Sequence, residues 1–230
     1  MTFACAHRGL SAEKPENTLA AFGAAVAAGF QAVEMDLRTT KDGEVVILHD
    51  PTLDRTTMGK GPLADATWQQ VQQVGDVPRL ADLFTTLKAW DGFYNLEVKA
   101  ATATRPMLEL AEKRKLAQRC LVSSMDLRVL QEAKRIAPAV ARAFIPFGPV
   151  DDQELEACLQ AGCAWINVDH DFLDPDEMAR FRAAGLKVGT WTVNDVPRAR
   201  ELAAMGVDCI ITDTRAVHES LAPKATAATF

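Results

Sequence analysis

The chain has 230 residues, of which 48% are hydrophobic and 24% are charged, so it can form a substantial core and is not typical of a disordered protein. A formal net charge of −6 at pH 7 argues against a nucleic-acid-binding protein, whose basic surface would usually show in the totals. An anionic substrate would then need positive charge concentrated locally, from a metal ion or from a few basic side chains.

Short apolar runs alternate with longer segments of helical spacing along almost the whole chain. The runs predict strands at Phe3–His7, Ala32–Leu37, Val45–Leu48, Tyr94–Val98, Cys120–Ser123, Val140–Phe144, Trp165–Val168, Lys187–Trp191 and Cys209–Thr212. The stretches between them predict helices, for example at Thr18–Ala28, Pro106–Lys115, Asp126–Ala137, Asp152–Ala161, Pro175–Ala184 and Val196–Met205. Such alternation of strands and helices is typical of a parallel sheet.

One of these strands does not fit a parallel sheet. The segment between Ala32–Leu37 and Val45–Leu48 is too short for a helix and has residues 39–43 at its centre, where Asp42-Gly43 is a hairpin signal. We therefore interpret Val45–Leu48 as an antiparallel return strand beyond the end of the second barrel strand. Eight parallel strands remain, as a (β/α)8 TIM barrel requires. A doubly wound open sheet is the main alternative, but no Gly-x-Gly-x-x-Gly turn follows the first strand.

Residues 50–79 interrupt the alternation of strands and helices. The segment contains the run Met58-Gly59-Lys60-Gly61-Pro62 and a short helical piece near Trp68, and it is too small to be a domain. We interpret it as an insertion that covers the carboxyl-terminal face of the barrel, where active-site covers usually lie. Residues 1–230 are thus predicted to form a single barrel domain.

Side-chain alternation along the second strand places two carboxylates inside the predicted barrel. Val33, Met35 and Leu37 share one face of the strand, and Glu34 and Asp36 share the other. The outer face of a barrel strand packs under helices and must be apolar, so Glu34 and Asp36 are expected to point inward. Two inward carboxylates repel each other and lose hydration, so they need a cation or strong partners.

The strand Tyr94–Val98 repeats this pattern and adds a third carboxylate. Glu97 lies on its polar face and Lys99 follows on the same side. Three inward carboxylates suit a hard divalent cation such as Mg²⁺ or Ca²⁺, with Mn²⁺ as a third candidate. The alternative is a metal-free cluster of ion pairs with Arg8 or Lys99.

Two histidines are predicted to lie at the mouth of the barrel. His7 ends the first strand, just before Arg8, and the hairpin returns the chain to His49 and Asp50. Because both histidines come close to the carboxylates, they are candidates for catalysis. Trp191 ends a later strand at the same face, where it would either wall a small substrate site or pack in the core.

Taken in order, these motifs resemble those of a known family. The series is Ala6-His7-Arg8-Gly9, Pro15-Glu16-Asn17-Thr18, Glu34-Met35-Asp36, Lys41-Asp42-Gly43, His49-Asp50, Glu97-Val98-Lys99, Trp191-Thr192-Val193-Asn194 and Ile211-Thr212-Asp213. It looks like the glycerophosphodiester phosphodiesterases, particularly their compact bacterial cytoplasmic members. Each motif alone is weak, but their order and spacing over nearly the whole chain make the set specific.

The resemblance implies an activity and a role for each matching residue. In that family the matching residues act as general acid and base, bind a divalent cation and hold the phosphate. Here they are, in that order, His7 and His49; Glu34, Asp36 and Glu97; and Arg8 and Lys99. The implied substrates are small glycerophosphodiesters, for example glycerophosphocholine or glycerophosphoethanolamine, cleaved to glycerol 3-phosphate and an alcohol.

Other activities and other cellular locations would each require different features of the sequence. A phospholipase-D-like enzyme for intact phospholipids would need an exposed apolar surface around the mouth, and none is evident in the sequence. A non-catalytic metal-binding barrel would be expected to lack a histidine or a carboxylate, and a sugar isomerase would have no phosphate clamp. The chain has no signal-peptide pattern and no apolar run near the ~20 residues of a membrane span, so we expect a cytoplasmic enzyme without stable membrane insertion.

Overall fold

Eight parallel strands close into a barrel in the computed structural model, which describes residues 2–221. The strands are β1 (Phe3–Ala6), β2 (Ala32–Thr39), β3 (Val45–Ile47), β4 (Phe93–Val98), β5 (Cys120–Ser124), β6 (Ala141–Phe144), β7 (Trp165–Asp169), β8 (Lys187–Trp191) and β9 (Cys209–Thr212). All of them except β3 are parallel to their neighbours in the barrel, and pairing of β1 with both β2 and β9 closes it. The predicted TIM barrel is confirmed.

Helices surround the barrel and bury the outer faces of its strands. They are α1 (Leu19–Ala27), α2 (Trp68–Val71), α3 (Leu80–Thr86), α4 (Thr104–Lys113), α5 (Leu127–Ile136), α6 (Asp152–Gln160), α7 (Pro175–Ala183), α8 (Val196–Met205) and α9 (Arg215–Leu221). An aspartate caps the start of each of α5 to α8 by accepting backbone N–H hydrogen bonds, which explains why these helices begin where they do. Among the described residues, no helix has both the length and the apolar character needed to cross a membrane.

The main core lies between the outer faces of the strands and the helices. Val33, Met35 and Leu37 of β2 are completely buried there, as side-chain alternation along the strand predicts. Their burial against the helices turns the intervening residues, Glu34 and Asp36, into the barrel. The apolar face of β2 therefore decides where its carboxylates point.

The hairpin after β2 is also confirmed. β3 pairs antiparallel with the end of β2, with Leu37 opposite Ile47 and Thr39 opposite Val45. Gly43 occupies the turn with φ +86°, a left-handed conformation that glycine adopts without strain. The hairpin extends β2 beyond the barrel and brings the chain back toward the mouth at His49.

Residues 50–79 pack against the outside of this hairpin. Their own small apolar cluster consists of Leu53, Leu63, Val71 and Val77 together with Val46 and Leu48 of the hairpin. Helix α2 begins with a capping box between Thr67 and Gln70, and the N–H of Trp68 donates to Asp42 in the hairpin turn. The insertion is thus attached to β3 by its own core.

Candidate active site

A cavity of about 250 Å³ lies at the carboxyl ends of the barrel strands. It is lined by all the predicted site residues except Asp36, namely His7, Arg8, Glu34, His49, Glu97, Lys99 and Trp191. Asp36 belongs to the same carboxylate group as Glu34 and Glu97. Residues from four strands and one hairpin are thus brought to one place, although they are up to 184 positions apart in the chain (His7 to Trp191; 191 − 7).

The three carboxylates form one compact group. Glu34 and Asp36 are 2% and 1% exposed, and the pairing of β2 with β4 places Asp36 directly beside Glu97. One oxygen from each of the three side chains lies within 4.8 Å of the others. The inward geometry expected from strand alternation is the geometry that the structure has.

Two cations and one backbone N–H offset part of this negative charge. Lys99 Nζ lies 2.5 Å from Glu97 Oε1 and 3.3 Å from Asp36 Oδ1, and Arg8 Nε lies 3.2 Å from Asp36 Oδ2. Glu34 accepts a 2.9 Å hydrogen bond from the backbone N–H of Arg8. Burial, followed by the negative charge of Asp36, raises the pKa of Glu34 to about 8. Burial likewise raises the pKa of Glu97.

Two oxygens of the group remain without a hydrogen bond. Glu34 Oε1 and Asp36 Oδ1 are buried and have no hydrogen-bond partner among residues 2–221, since Lys99 approaches Asp36 without hydrogen-bonding geometry. A buried carboxylate oxygen without a partner is costly, and oxygen-only ligands suit a hard cation. The group therefore fits a divalent metal ion better than a self-contained set of ion pairs.

Each predicted histidine is held by an aspartate. His7 Nδ1 lies 2.8 Å from Asp213 Oδ1, and His49 Nδ1 lies 2.7 Å from Asp50 Oδ1. Because a carboxylate only accepts, Nδ1 carries the hydrogen in both rings and Nε2 is left free. Burial lowers the pKa of His7, but the hydrogen bond to Asp213 and the charge of Glu34 outweigh it, so the pKa is raised overall.

A tight turn after β1 positions Arg8. Arg8 and Gly9 have φ of +56° and +78°, and the Arg8 carbonyl accepts a 2.9 Å hydrogen bond from the N–H of Asn17. Asn17 also has a positive φ of +59°, and its Nδ2 donates to Asp36 Oδ2 at 2.8 Å. Left-handed backbone is unusual at an arginine, and such outliers concentrate at functional sites.

Some residues of the site were not singled out from the sequence. Asp213 and Asn17 were named in the sequence motifs without a role. Asp213 follows β9, the barrel neighbour of β1, and this position is the signal that could have identified it. Glu16 and Arg55 were not singled out either. Glu16 accepts hydrogen bonds from Arg8 and Arg55, and Arg55 donates to Asp50 at 2.7 Å, so an unbroken series of ion pairs joins the turn after β1 to the residue beside His49.

One side of the cavity mouth is apolar, contrary to expectation. Met125, Ile145, Phe147 and Trp191 line it, and Phe147 is 89% exposed and Met125 42%. The expectation of no exposed apolar surface at the mouth was therefore wrong, because single apolar residues in the loops after β5 and β6 carry no periodic signal. Trp191 lines the cavity, and its Nε1 donates to the Asn167 carbonyl at 2.9 Å.

The insertion reaches the mouth through Arg55, which contacts Glu16 and Asp50. Within the described part of the chain, no residue of 51–79 lines the cavity itself. That this segment covers the carboxyl-terminal face of the barrel therefore stays a prediction.

Comparison with known proteins decides the family. The model of the glycerophosphoryl diester phosphodiesterase family matches residues 7–216. The chain belongs to this family. A glycerophosphodiester phosphodiesterase of Caldanaerobacter subterraneus is 29% identical over 233 residues, covering 92% of this chain and 94% of that protein.

Solved structures of family members contain the same barrel. A phosphodiesterase of Oleispira antarctica, solved in complex with the product sn-glycerol-3-phosphate, matches with a TM-score of 0.87 and 27% identity, covering 96% of both chains. The glycerophosphodiester phosphodiesterase of Thermotoga maritima matches with a TM-score of 0.80 and 28% identity, covering 94% of this chain and 96% of that one. The protein is thus an enzyme of the glycerophosphodiester phosphodiesterase family.

Proposed function

We propose that this enzyme hydrolyses small glycerophosphodiesters, such as glycerophosphocholine and glycerophosphoethanolamine, to glycerol 3-phosphate and an alcohol. The observation that carries the proposal is the buried group of three carboxylates, two of whose oxygens accept no hydrogen bond, in the same cavity as two aspartate-held histidines. The Oleispira antarctica relative, solved with sn-glycerol-3-phosphate, supports the product.

Glu34, Asp36 and Glu97 would hold a divalent cation, with Mg²⁺ or Ca²⁺ favoured and Mn²⁺ as a third candidate. When bound, the cation would polarise a phosphoryl oxygen and neutralise part of the charge that resists attack on an anion. Arg8 and Lys99 line the same cavity and would hold the remaining phosphate oxygens. Trp191 would wall the substrate pocket, with its indole fixed by the Asn167 carbonyl.

His7 and His49 would transfer the two protons that hydrolysis requires. Nε2 of one histidine accepts the proton of the attacking hydroxyl as its oxygen bonds to phosphorus. Nε2 of the other donates a proton to the departing alkoxide as its bond to phosphorus breaks. The attacking hydroxyl belongs either to water or to the glycerol moiety, and in the second case water then opens a cyclic phosphate. Each proton transfer contributes roughly 10²–10⁴ in rate.

The test is release of glycerol 3-phosphate from glycerophosphocholine. Activity should be lost in EDTA and restored by Mg²⁺, Ca²⁺ or Mn²⁺, and no release with any of these ions would overturn the proposal. His7→Ala and His49→Ala should each lower kcat by roughly 10²–10⁴. His218→Ala is the matched control, because His218 stacks on Phe30 at 4.2 Å and does not line the cavity, so activity should be retained.

The apolar side of the mouth favours a second candidate function. An exposed Phe147 beside a phosphodiester site would also suit substrates with acyl chains, as in the phospholipase-D-like alternative. Choline release from lysophosphatidylcholine and phosphatidylcholine should then fall in Phe147→Ser while glycerophosphocholine hydrolysis is unchanged. Phe93→Ser is the control, because Phe93 is 54% exposed at the start of β4, at the other end of the barrel. No choline release from either lipid would rule this function out.

A further inference from the structure

A second cavity, of about 280 Å³, lies at the opposite end of the barrel. Phe3, Phe93, Trp165 and Lys187 line it, and they are the first residues of β1, β4, β7 and β8. The cavity therefore opens at the amino ends of the strands, and we call it the lower cavity. Phe3 and Trp165 meet edge to face at 6.3 Å, so aromatic rings form part of its wall.

Small side chains at inward positions create this space. TIM barrel interiors are usually filled by bulky branched residues. Here Cys5, Ala32, Ala141 and Cys209 line the lower cavity instead. The strands are held apart by the closed hydrogen-bonded barrel, so these short side chains leave volume that the fold cannot remove by collapse.

The deep end of the lower cavity is lined by a polar side chain, Asn167. Asn167 is 2% exposed, and its Nδ2 has no hydrogen-bond partner among residues 2–221. Its side chain has room because residue 189 is glycine, where a Cβ would lie 2.3 Å from Asn167 Oδ1. A buried amide with unused hydrogen-bonding capacity is costly, and because the Asn167 side chain lines the cavity, a ligand hydroxyl could bond to this amide.

The outer end of the lower cavity contains a cation. Lys187 is exposed, and its Nζ lies 5.2 Å over the ring of Trp165. Within the described residues, no carboxylate oxygen lies within 4.0 Å of this ammonium. The rest of the lining is mainly apolar. The lower cavity thus has aromatic rings in its wall, the neutral amide of Asn167 at its deep end and the positive charge of Lys187 at its outer end.

We propose that the lower cavity binds a hydroxyaryl carboxylate. The aromatic ring would lie among Phe3, Phe93 and Trp165, the hydroxyl would form a hydrogen bond with the side-chain amide of Asn167, and the carboxylate would pair with Lys187. Asn167 lies two residues beyond Trp165 on β7, which pairs with Lys187, so the polar groups are separated by about 7 Å along the strand direction. An apolar cavity of about 150 Å³ holds benzene, so one of 280 Å³ has room for a ring with a short carboxylate arm.

The test uses three probes that differ by one group, 3-(4-hydroxyphenyl)propionate, 3-phenylpropionate and 4-ethylphenol, in calorimetric titrations of the full chain. The first should bind with one site per chain. Loss of the hydroxyl should weaken binding about two- to tenfold, and loss of the carboxylate about two- to fivefold. An absence of saturable binding by the first probe would overturn the proposal and leave water as the occupant.

Two substitutions assign the contacts. Asn167→Ala should bind 3-(4-hydroxyphenyl)propionate and 3-phenylpropionate with equal affinity. Lys187→Gln should bind 3-(4-hydroxyphenyl)propionate no more tightly than 4-ethylphenol. Lys187 is exposed, so Lys187→Gln keeps the test decisive if Asn167→Ala does not fold. Lys113→Gln, on the exposed surface of α4, is the charge-matched control and should bind as wild type does.

The active-site cavity at the carboxyl ends of the strands, which we call the upper cavity, also combines aromatic and cationic side chains, so the test must separate the two sites. Asn95 and Ile211 line both cavities, which means that one layer of side chains divides them. Phe147→Ser changes only the upper mouth and should leave the affinity for 3-(4-hydroxyphenyl)propionate unchanged. Binding that is lost in Phe147→Ser and kept in Lys187→Gln would place the ligand in the upper cavity and overturn the proposal. The proposal does not depend on the hydrolysis proposed above.

Discussion

Asp213, near the carboxyl-terminal end of the described chain, is hydrogen-bonded to His7, one of the two candidate catalytic histidines. It accepts hydrogen bonds from His7, Ser11 and Asn194, so its carboxylate has little freedom to turn. Burial raises the pKa of Asp213, but these hydrogen bonds, with that from His7 first, outweigh it and hold the pKa well below its usual range. A fixed, ionised Asp213 favours one orientation and one tautomer of His7.

Replacing Asp213 by asparagine should lower the pKa of His7, because the amide oxygen can accept the same hydrogen bond but carries no negative charge to stabilise the protonated ring. The folded-state pKa of His7 lies above its usual value of 6.5, so this group stabilises the fold fully below pH 6.5. That stability is lost as pH rises through the folded-state pKa. The free energy of unfolding of the metal-free protein should therefore fall less above pH 6.5 in Asp213→Asn than in wild type.

Urea unfolding over a pH series and an NMR titration of the His7 ring measure these effects. Ser11→Ala is the control, since it removes another donor to Asp213 and keeps the carboxylate. A His7 pKa that is the same in Asp213→Asn and wild type would contradict the assignment.

Asn17 combines a left-handed backbone with a buried hydrogen bond to Asp36, and two substitutions separate these contributions. Asn17→Ala loses a hydrogen bond to a charged group, which costs about 1.5–3 kcal/mol, and adds roughly 1–2 kcal/mol for an alanine at positive φ. Asn17→Gly should lose the first amount only. Urea unfolding of both variants measures the difference, and equal free energies would show that the backbone conformation contributes nothing.

At the scale of elements, strands and the hairpin were predictable because their signals are local. Alternation in β2 needs no knowledge of the rest of the chain, and Asp42-Gly43 marks its own turn. The contact of His7 with Asp213 joins residues 206 positions apart and follows only from closure of the barrel between β1 and β9. The apolar mouth and the lower cavity were not predictable, because each depends on isolated residues from several loops or strands.

The close approach of the turn after β1 to helix α1 gives a prediction at this scale. A Cβ on Gly9 would lie 2.6 Å from the carbonyl carbon of Ala21 in α1, and Gly9 has φ +78°. Gly9→Ala should therefore lower the free energy of unfolding by about 2–5 kcal/mol, since overpacking and the positive φ both contribute. Activity should fall as well, because the same turn carries Arg8.

Gly23→Ala is the matched control in the same region. Gly23 lies within α1, and a Cβ there would meet none of the described atoms within 4 Å. This variant should be more stable than wild type by about 0.5–1 kcal/mol, because alanine is the better helix former. Urea unfolding of both variants is the measurement, and a Gly9→Ala protein as stable as wild type would refute the close packing of turn and helix.

At the scale of the whole molecule, the three buried carboxylates of the candidate metal site lower the stability of the metal-free protein. The pKa of Glu34 is raised from 4.5 to about 8, by burial first and by Asp36 second. A carboxyl group with a raised folded-state pKa destabilises the fold progressively as pH rises from its unfolded value toward the folded one. The metal-free protein should therefore lose stability between pH 4.5 and about 8 through this group.

Glu34→Gln should remove both the loss of stability with rising pH and the stabilisation by a divalent ion. In EDTA at pH 8 the variant should melt at a higher temperature than wild type. In wild type, a divalent ion at 100 times its Kd should add about 2.7 kcal/mol, or roughly 5–10 °C in Tm, and in Glu34→Gln it should add little. Thermal unfolding with EDTA or Mn²⁺ measures both effects. Glu109→Gln, in an exposed ion pair on α4, is the control, and an unchanged Mn²⁺ response in Glu34→Gln would argue against the metal site.

The β2–β3 hairpin can change in length without moving either candidate catalytic histidine. β2 has 8 residues where β1 has 4, and the extra length pairs with β3 above the barrel. His7 follows a barrel strand, and His49 follows the base of this ribbon, where the N–H of Leu48 donates to the Asp36 carbonyl, so the span between the histidines does not depend on the length of the ribbon. Adding or removing residues in pairs preserves the inward and outward alternation of a strand. Evolution or an engineer can therefore lengthen or shorten the ribbon at its turn, and alter the insertion that packs on it, while the histidines and the eight-stranded frame stay in place.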